Sequence, residues 1–274
     1  MSQIQAGIVT FNPDITLLEK NIVSIIQQVK QVVIVDNASK NISQIKKLVY
    51  KYDLYIIENS TNLGIATALN QIMSFGIKNK NEWVLTLDQD SVCPLDYIES
   101  MKNYLGIKKL GMIAPIILDR NIGHVGHNLN KELYDVRTCI TSGAITNVNA
   151  WTDVNGYDDK MFIDSVDFDF CYRIRKIGYR IVQTNTIELN HAIGNGRVIN
   201  FLLFKIRLTE HSAFRNYYIS QNEIYYPKKN KLILRLIRGN FRNLSRILVV
   251  TIFEKEKKDK IISILKGWRK GYTI

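Results

Sequence analysis

Four apolar runs of strand length, separated by segments of helical period, fill the first ninety residues and leave this chain few ways to fold. Residues 4–11, 31–36, 54–58 and 83–88 are rich in Ile, Val and Leu and read as buried strands. The first helix is expected from its cap Asp14 to about residue 29, with Ile15, Leu18, Ile22, Ile25 and Ile26 on one face. Residues 42–50 and 65–77 carry the next two helical patterns. Such alternation implies right-handed crossovers and an α/β fold with a mostly parallel sheet. Ligands in such sheets bind outside the carboxyl ends of the strands, so the residues at those ends can be read together.

That edge is polar. The first strand ends in Thr10-Phe11-Asn12 and the second in Asp36-Asn37-Ala38-Ser39. The third is followed by Asn62-Leu63-Gly64, and the fourth, EWVLTLDQDS, ends on Asp88-Gln89-Asp90. Two carboxylates one residue apart on a turn are hard oxygen ligands that suit Mg²⁺ or Mn²⁺, and through the metal a diphosphate. Asp90 or Ser91 would equally cap a helix starting near Pro94. An Asp at a strand end can accept a hydrogen bond from the imide of uracil or thymine. A small residue such as Gly64 at a helix start lets backbone amides approach phosphate. Asn37, Ala38 and Ser39 also suit a plain turn.

The second half is less regular. A strand is expected over 110–117, ended by Pro115, then a polar loop over 119–136 with Gly123, His124, Gly126 and His127, either covering an acceptor or simply solvated. Residues 139–148 read as a strand interrupted at Ser142-Gly143, where backbone can approach a sugar. Asp164, Asp167 and Asp169 open a helix containing Arg173, Arg175 and Lys176. Acids there compensate the helix dipole, or one of them serves as a base. Asp169, two residues beyond Asp167, points elsewhere and is read as a structural partner of Arg173. A strand over 186–191 ends in His191, followed by Gly194 and Gly196, and a helix over 208–225 carries His211, Arg215 and Gln221.

Taken together, VTFNPD (9–14), VVIVDNAS (32–39), NLGIATALN (62–70), LDQDS (87–91), TSGAI (141–145) and FIDSVDFDFCYRIRKIGYRI (162–181) resemble the inverting nucleotide-sugar glycosyltransferases of family 2. The resemblance spans roughly residues 4–225, and LDQDS with HSAFRNYYISQN (211–222) is most similar to the rhamnosyltransferase-like branch. It implies a GT-A fold, a Rossmann-like nucleotide-binding half joined to a mixed-sheet acceptor half. It implies that Asp36 contacts the pyrimidine base and that Thr10, Asn12, Asn62, Gly64 and Gln89 help line the nucleotide site. Asp88 would face ribose or metal-bound water at the metal, Asp90 would ligate the metal, His191 would be a metal or diphosphate ligand, and Arg215 would neutralise leaving-group charge. Asp167 falls on the position of the base that takes the acceptor proton. The family's usual Glu-Asp pair is Val166-Asp167 here, as is common in the rhamnosyltransferase-like branch, and its Arg-Asn is Gln221-Asn222. The expected donor is dTDP-rhamnose, with a UDP-hexose as the alternative, and the acceptor is a glycan or lipid-linked glycan. A sugar-phosphate nucleotidyltransferase would want a Gly-rich basic loop where VTFNPD stands, and a non-catalytic scaffold would not need Asp90, Asp167 and His191.

Charge divides the chain unevenly. Residues 228–274 hold 14 Lys/Arg against 3 Asp/Glu, a balance of +11, whereas residues 1–227 hold 23 against 22. A catalytic domain over 1–227 and a basic amphipathic helical tail over 228–274 are therefore expected. Ile237, Phe241, Leu244 and Leu248 lie on one arc of the tail and Arg235, Arg238, Arg242 and Arg246 on another. The pattern suits an anionic membrane surface or packing of the apolar side on the domain. No nucleic-acid module accompanies the charge, so nucleic acid is not an expected partner. Three scattered cysteines argue for a reducing compartment. With no expected leader or membrane-spanning run, the expected location is the cytoplasmic face of the plasma membrane, as a peripheral protein.

Overall fold

β1 (Ile4–Thr10) lies between β2 (Val32–Asp36) and β4 (Trp83–Asp88), parallel to both, and β3 (Tyr55–Glu58) extends the parallel set beyond β2. The computed structural model describes residues 4–119, 123–125, 131–191, 197–201, 204–208 and 210–274. Helices α1 (Ile15–Ile25), α2 (Ile42–Lys51) and α3 (Ile65–Lys78) make the crossovers. Asp14 caps α1 as expected, accepting from the Leu17 amide at 3.0 Å. The core is aliphatic, with Ile8, Ile34, Leu85 and Ile72 fully buried. Gly7 on β1 leaves the room that Ile72 of α3 fills, since a Cβ there would stand 2.2 Å from it.

After α4 (Tyr97–Lys102) the sheet becomes mixed. Beside β4 stands antiparallel β8 (Ile145–Asn147), then β5 (Leu110–Asp119), β9 (Arg180–His191) and β7 (Leu133–Asp135), with β6 (Gly123–Val125) paired on the end of β5. β5 and β9 are parallel, and β7 runs antiparallel to β9. The parallel half and mixed half are those expected from the sequence. Helices α5 (Val148–Asp153) and α6 (Val166–Lys176) complete the set. All of these elements belong to one compact unit, Met1–Asp159 with Val166–Ala192.

The second unit is Lys160–Ser165 with Ile193–Ile274. It contains the hairpin β10 (Arg197–Phe201) and β11 (Phe204–Leu208), then α7 (Ala213–Lys229), α8 (Ile233–Phe253) and α9 (Lys257–Thr273). α7 packs against both α8 and α9 through glycine. A Cβ on Gly239 of α8 would stand 2.1 Å from the Glu223 carbonyl oxygen, and one on Gly267 of α9 2.0 Å from that of Tyr217.

Several boundaries differ from expectation. β5 does not stop at Pro115: its pairing with β9 shifts register between Ala114 and Ile116, which accommodates the residue without an N–H. The span 139–148 is strand only at β8, because Asn147 turns the chain into α5 by accepting from the Asn149 and Ala150 amides. The span 119–136 holds strands β6 and β7 among its described residues rather than a plain loop. Gly126, His127, Gly194 and Gly196 lie outside the described residues. The helix expected from residue 208 begins at Ala213, where Ser212 caps it, and it continues through Pro227. The charge shift near Pro227 thus falls inside a helix.

Candidate active site

The carboxyl ends of β1, β2 and β4 bring Thr10, Asp36 and Asp88 to one edge, with Thr10 in register with Asp36 and Val9 with Asp88. Asp36 is 1% exposed. Its Oδ1 accepts from Thr10 Oγ1 at 2.8 Å and Ser39 Oγ at 2.5 Å, and its Oδ2 from the Ser39 amide at 2.8 Å. Asn12, at φ 49°, donates its amide to Ser39 Oγ and accepts from the Lys40 amide through Oδ1. A carboxylate expected to face a nucleobase therefore also holds the loops after β1 and β2 together.

Gly64 has φ 85° at the start of α3, a conformation that favours glycine, and its amide donates to Asn62 Oδ1 at 2.9 Å. Asn37 Nδ2 donates to the Gly64 carbonyl, which ties the loop after β2 to the α3 start. Asn62 and Gly64 thus shape that turn, while the first α3 amides have no side-chain cap.

Asp88 and Asp90 are both half-buried. The Asp88 backbone is fixed on both sides: its amide donates to Ser142 Oγ at 3.0 Å, and its carbonyl accepts from Asn21 Nδ2 at 2.7 Å. Ser91 and Ser142 share a hydroxyl contact of 2.8 Å, and Gln89 Oε1 accepts from the Phe11 amide at 2.9 Å. Two residues beyond Asp90, Val92 forms an antiparallel bridge with Asn190. His191 is the next residue and closes β9. The strand end that carries His191 is thereby pinned beside the Asp88–Asp90 turn, while the His191 side chain lies outside the described atoms. Among the described residues no three His, Cys, Asp or Glu side chains converge. Two partly accessible carboxylates on a rigid turn fit the oxygen preference of Mg²⁺ or Mn²⁺.

Gly143, expected where backbone meets a sugar, has φ 80°, and the side on which a Cβ would stand faces the interior. A Cβ on it would stand 2.6 Å from Leu189 and 3.0 Å from the Tyr97 hydroxyl, which donates to its carbonyl. Asp167, in the first turn of α6, is half-buried and accepts from the Phe168 amide. Asp169 is fully buried and meets Arg173 Nε at 2.7 Å, the expected pair. Arg173 also donates to the carbonyls of Val154 and Gly156, so the pair locks α6 to the turn after α5.

Arg215 lies in the second unit, where Asp164 receives it in a two-point contact at 3.0 and 3.2 Å. That carboxylate raises the guanidinium pKa. Asn222 donates to the carbonyls of Ile163 and Asp164, and Gln221 to that of Lys160. Gln221 and Asn222 therefore hold the 160–165 segment on α7.

Sequence reading missed Asn70, which accepts from Trp151 Nε1 and the Tyr157 amide and donates to Asp159. It also missed Asp164 as the partner of Arg215. The available signal for Asn70 was a polar residue within an apolar helix; for Asp164, 51 positions from Arg215, there was none.

The pattern of Glycosyl transferase family 2 matches residues 6–156. The chain is 27% identical to the dTDP-rhamnosyl transferase RfbF of Shigella flexneri, covering 98% of this chain and 96% of that protein. Its fold is similar to that of the mannosyltransferase PcManGT from Pyrobaculum calidifontis in complex with GDP-Man and Mn²⁺. That match has TM-score 0.61 and 13% identity, over 99% of this chain and 87% of that one. S. aureus TarS 1–349 in complex with UDP-GlcNAc gives TM-score 0.60 and 15% identity over 98% and 81%. At such identities these two structures speak to fold, and the fold is the GT-A arrangement of glycosyltransferases.

Proposed function

The chain belongs to Glycosyl transferase family 2, and we propose that it is a metal-dependent inverting enzyme that moves L-rhamnose from dTDP-rhamnose onto a glycan or lipid-linked glycan. One observation carries the chemistry: the Asp88–Asp90 turn is fixed at the carboxyl edge, beside the end of β9 that bears His191. The donor assignment is supported by the likeness to the dTDP-rhamnosyl transferase along nearly the whole chain.

Asp88, Asp90 and His191 would hold the divalent cation, which when bound supplies positive charge against the donor diphosphate. Asp36 would receive the base imide, and Thr10, Asn12, Asn62, Gly64 and Gln89 would shape the nucleotide side of the site. An acceptor hydroxyl then attacks the anomeric carbon from the face opposite the diphosphate. The new C–O bond forms as the bond to the diphosphate oxygen breaks, the nucleoside diphosphate leaves, and the hydroxyl proton passes to Asp167. A single displacement inverts the anomeric carbon. The basic tail would hold this activity at an anionic, cytoplasmic membrane surface, where a lipid-linked acceptor is presented.

Competition between dTDP and UDP in the presence of Mn²⁺ tests the donor. A preference for dTDP is expected. A preference for UDP would replace the rhamnosyl reading with a hexosyl one, and failure of both nucleotides to bind would overturn both.

A further inference from the structure

α8 turns its apolar side away from its own unit. At 3.6 residues per turn, Leu234, Ile237, Phe241, Leu244, Leu248 and Ile252 fall within an arc of about 80°. All six are exposed, Leu234 at 83% and Phe241 at 65%. Arg235, Arg238, Arg242 and Arg246 fill another arc of about 80° on one flank of that stripe, and the first three are exposed. The side that packs is narrow and mixed: Val250 is fully buried, Gly239 meets the Glu223 carbonyl, Asn243 donates to the Ser220 carbonyl, and Asn240 accepts from Trp268 Nε1. An amphipathic helix of a soluble domain does the reverse.

Charge identifies the occupant. α8 has four arginines and no Asp or Glu, in a segment carrying 14 Lys/Arg against 3 Asp/Glu. Its 21 residues make a straight stripe about 31 Å long, and among the described residues no helix is long and apolar enough to cross a membrane. A long apolar stripe with a basic rim fits a plane that is anionic at its surface and apolar beneath.

We propose that α8 lies in the plane of an anionic bilayer, with the Leu234–Ile252 stripe sunk to the acyl boundary and the arginines at the level of the lipid phosphates. This rests on the reading that the tail holds the enzyme at a membrane, and it adds insertion to electrostatic adsorption. Adsorption alone is released by salt; insertion leaves a part that salt does not remove.

Co-flotation of the full chain with vesicles of equal phosphatidylcholine and phosphatidylglycerol at 0.1 and 0.5 M NaCl separates the two. The native chain should float at both salts. The triple variant Phe241→Ser, Leu244→Ser, Leu248→Ser should lose at least tenfold in partitioning at both, with its melting temperature unchanged because the three side chains are exposed. Arg235→Gln with Arg238→Gln should weaken binding mainly at low salt. Phe241→Trp should gain fluorescence quenching by brominated lipid over the native tryptophans. Triple-variant binding equal to native, or no gained quenching, would overturn insertion and leave adsorption standing. A native chain that ignores the vesicles at low salt would overturn both. A native dimer in light scattering that ignores vesicles and that the triple variant dissolves would assign the stripe to a second copy, against the proposal.

Discussion

Gly239 of α8 rests on the carbonyl of Glu223 in α7, four residues before Pro227. Proline has no N–H, so the regular helical donor to that carbonyl is missing, and the bare glycine lets α8 approach it. Gly267 of α9 approaches the Tyr217 carbonyl as closely, with Gln221 rather than a proline four residues on. Gly239→Ala and Gly267→Ala should each cost about 1–3 kcal/mol, as overpacking does, and lower the melting temperature by several degrees. Gly106→Ala, which meets nothing within 4 Å, is the control. Melting points equal to native would mean that the helices separate at little cost.

The metal prediction concerns Asp90. Its turn is held by backbone contacts of Asp88 with Ser142 and Asn21 and by the Val92–Asn190 bridge. Asp90→Ala should lose the Mn²⁺-dependent part of nucleoside diphosphate binding in calorimetry. Native binding unchanged by excess chelator would remove the metal from the mechanism.

His211 carries a pH dependence. Burial depresses its pKa and the charge of Arg215 adds to this; Asp164 opposes them, followed by a smaller lowering from Arg246 and a smaller raising from Glu254. A histidine depressed in the folded state is neutral there, while the unfolded chain takes up its proton below about pH 6.5. The unfolded state then binds more protons, so this contribution to stability is present above that pH and is lost as pH falls below it. Denaturant unfolding at pH 5.5 and 7.5 should show a smaller difference for His211→Gln than for the native chain. Equal differences would mean that His211 titrates alike in both states.

The sequence disclosed what is encoded locally. β1 to β4, the Asp14 cap, the polar strand ends and the Asp169–Arg173 pair all follow from short-range patterns, because a buried parallel strand is apolar throughout and i,i+4 partners share a helix face. Contacts at long range left no such trace. Nothing near Asp164 announces Arg215, and nothing in TSGAI shows that Ser142 would orient Asp88 or that the Cβ side of Gly143 would face the interior. Periodicity also showed that α8 is amphipathic without showing which side it turns to its own unit. Gly239 helps decide that by letting α8 touch the α7 backbone, and glycine is silent in a hydrophobic pattern. The boundary expected at residue 227 follows the shift in charge, and charge does not reveal that Pro227 sits in the last turn of α7, where few donors are lost.

Asp167 and Asp169 stand two residues apart on α6, and their surroundings separate their roles. Asp169 is fully buried, and its partner Arg173 holds two backbone carbonyls as well. Removing its charge leaves a largely buried guanidinium without its counter-ion, a loss of about 3–5 kcal/mol in comparable pairs. Asp169→Asn should appear first as a lower melting temperature, with any loss of turnover following the loss of folded protein. Asp167 is half-buried, and its Oδ1 takes the adjacent Phe168 amide, a contact that asparagine can also accept. Asp167→Asn should keep the melting temperature and nucleotide affinity and lower kcat by about 10²–10⁴-fold, the usual share of a general base. Measuring melting temperature, dTDP affinity and turnover on both variants resolves the two cases. Full turnover in Asp167→Asn would remove it as the base, and a stable, inactive Asp169→Asn would move that role two residues along the helix.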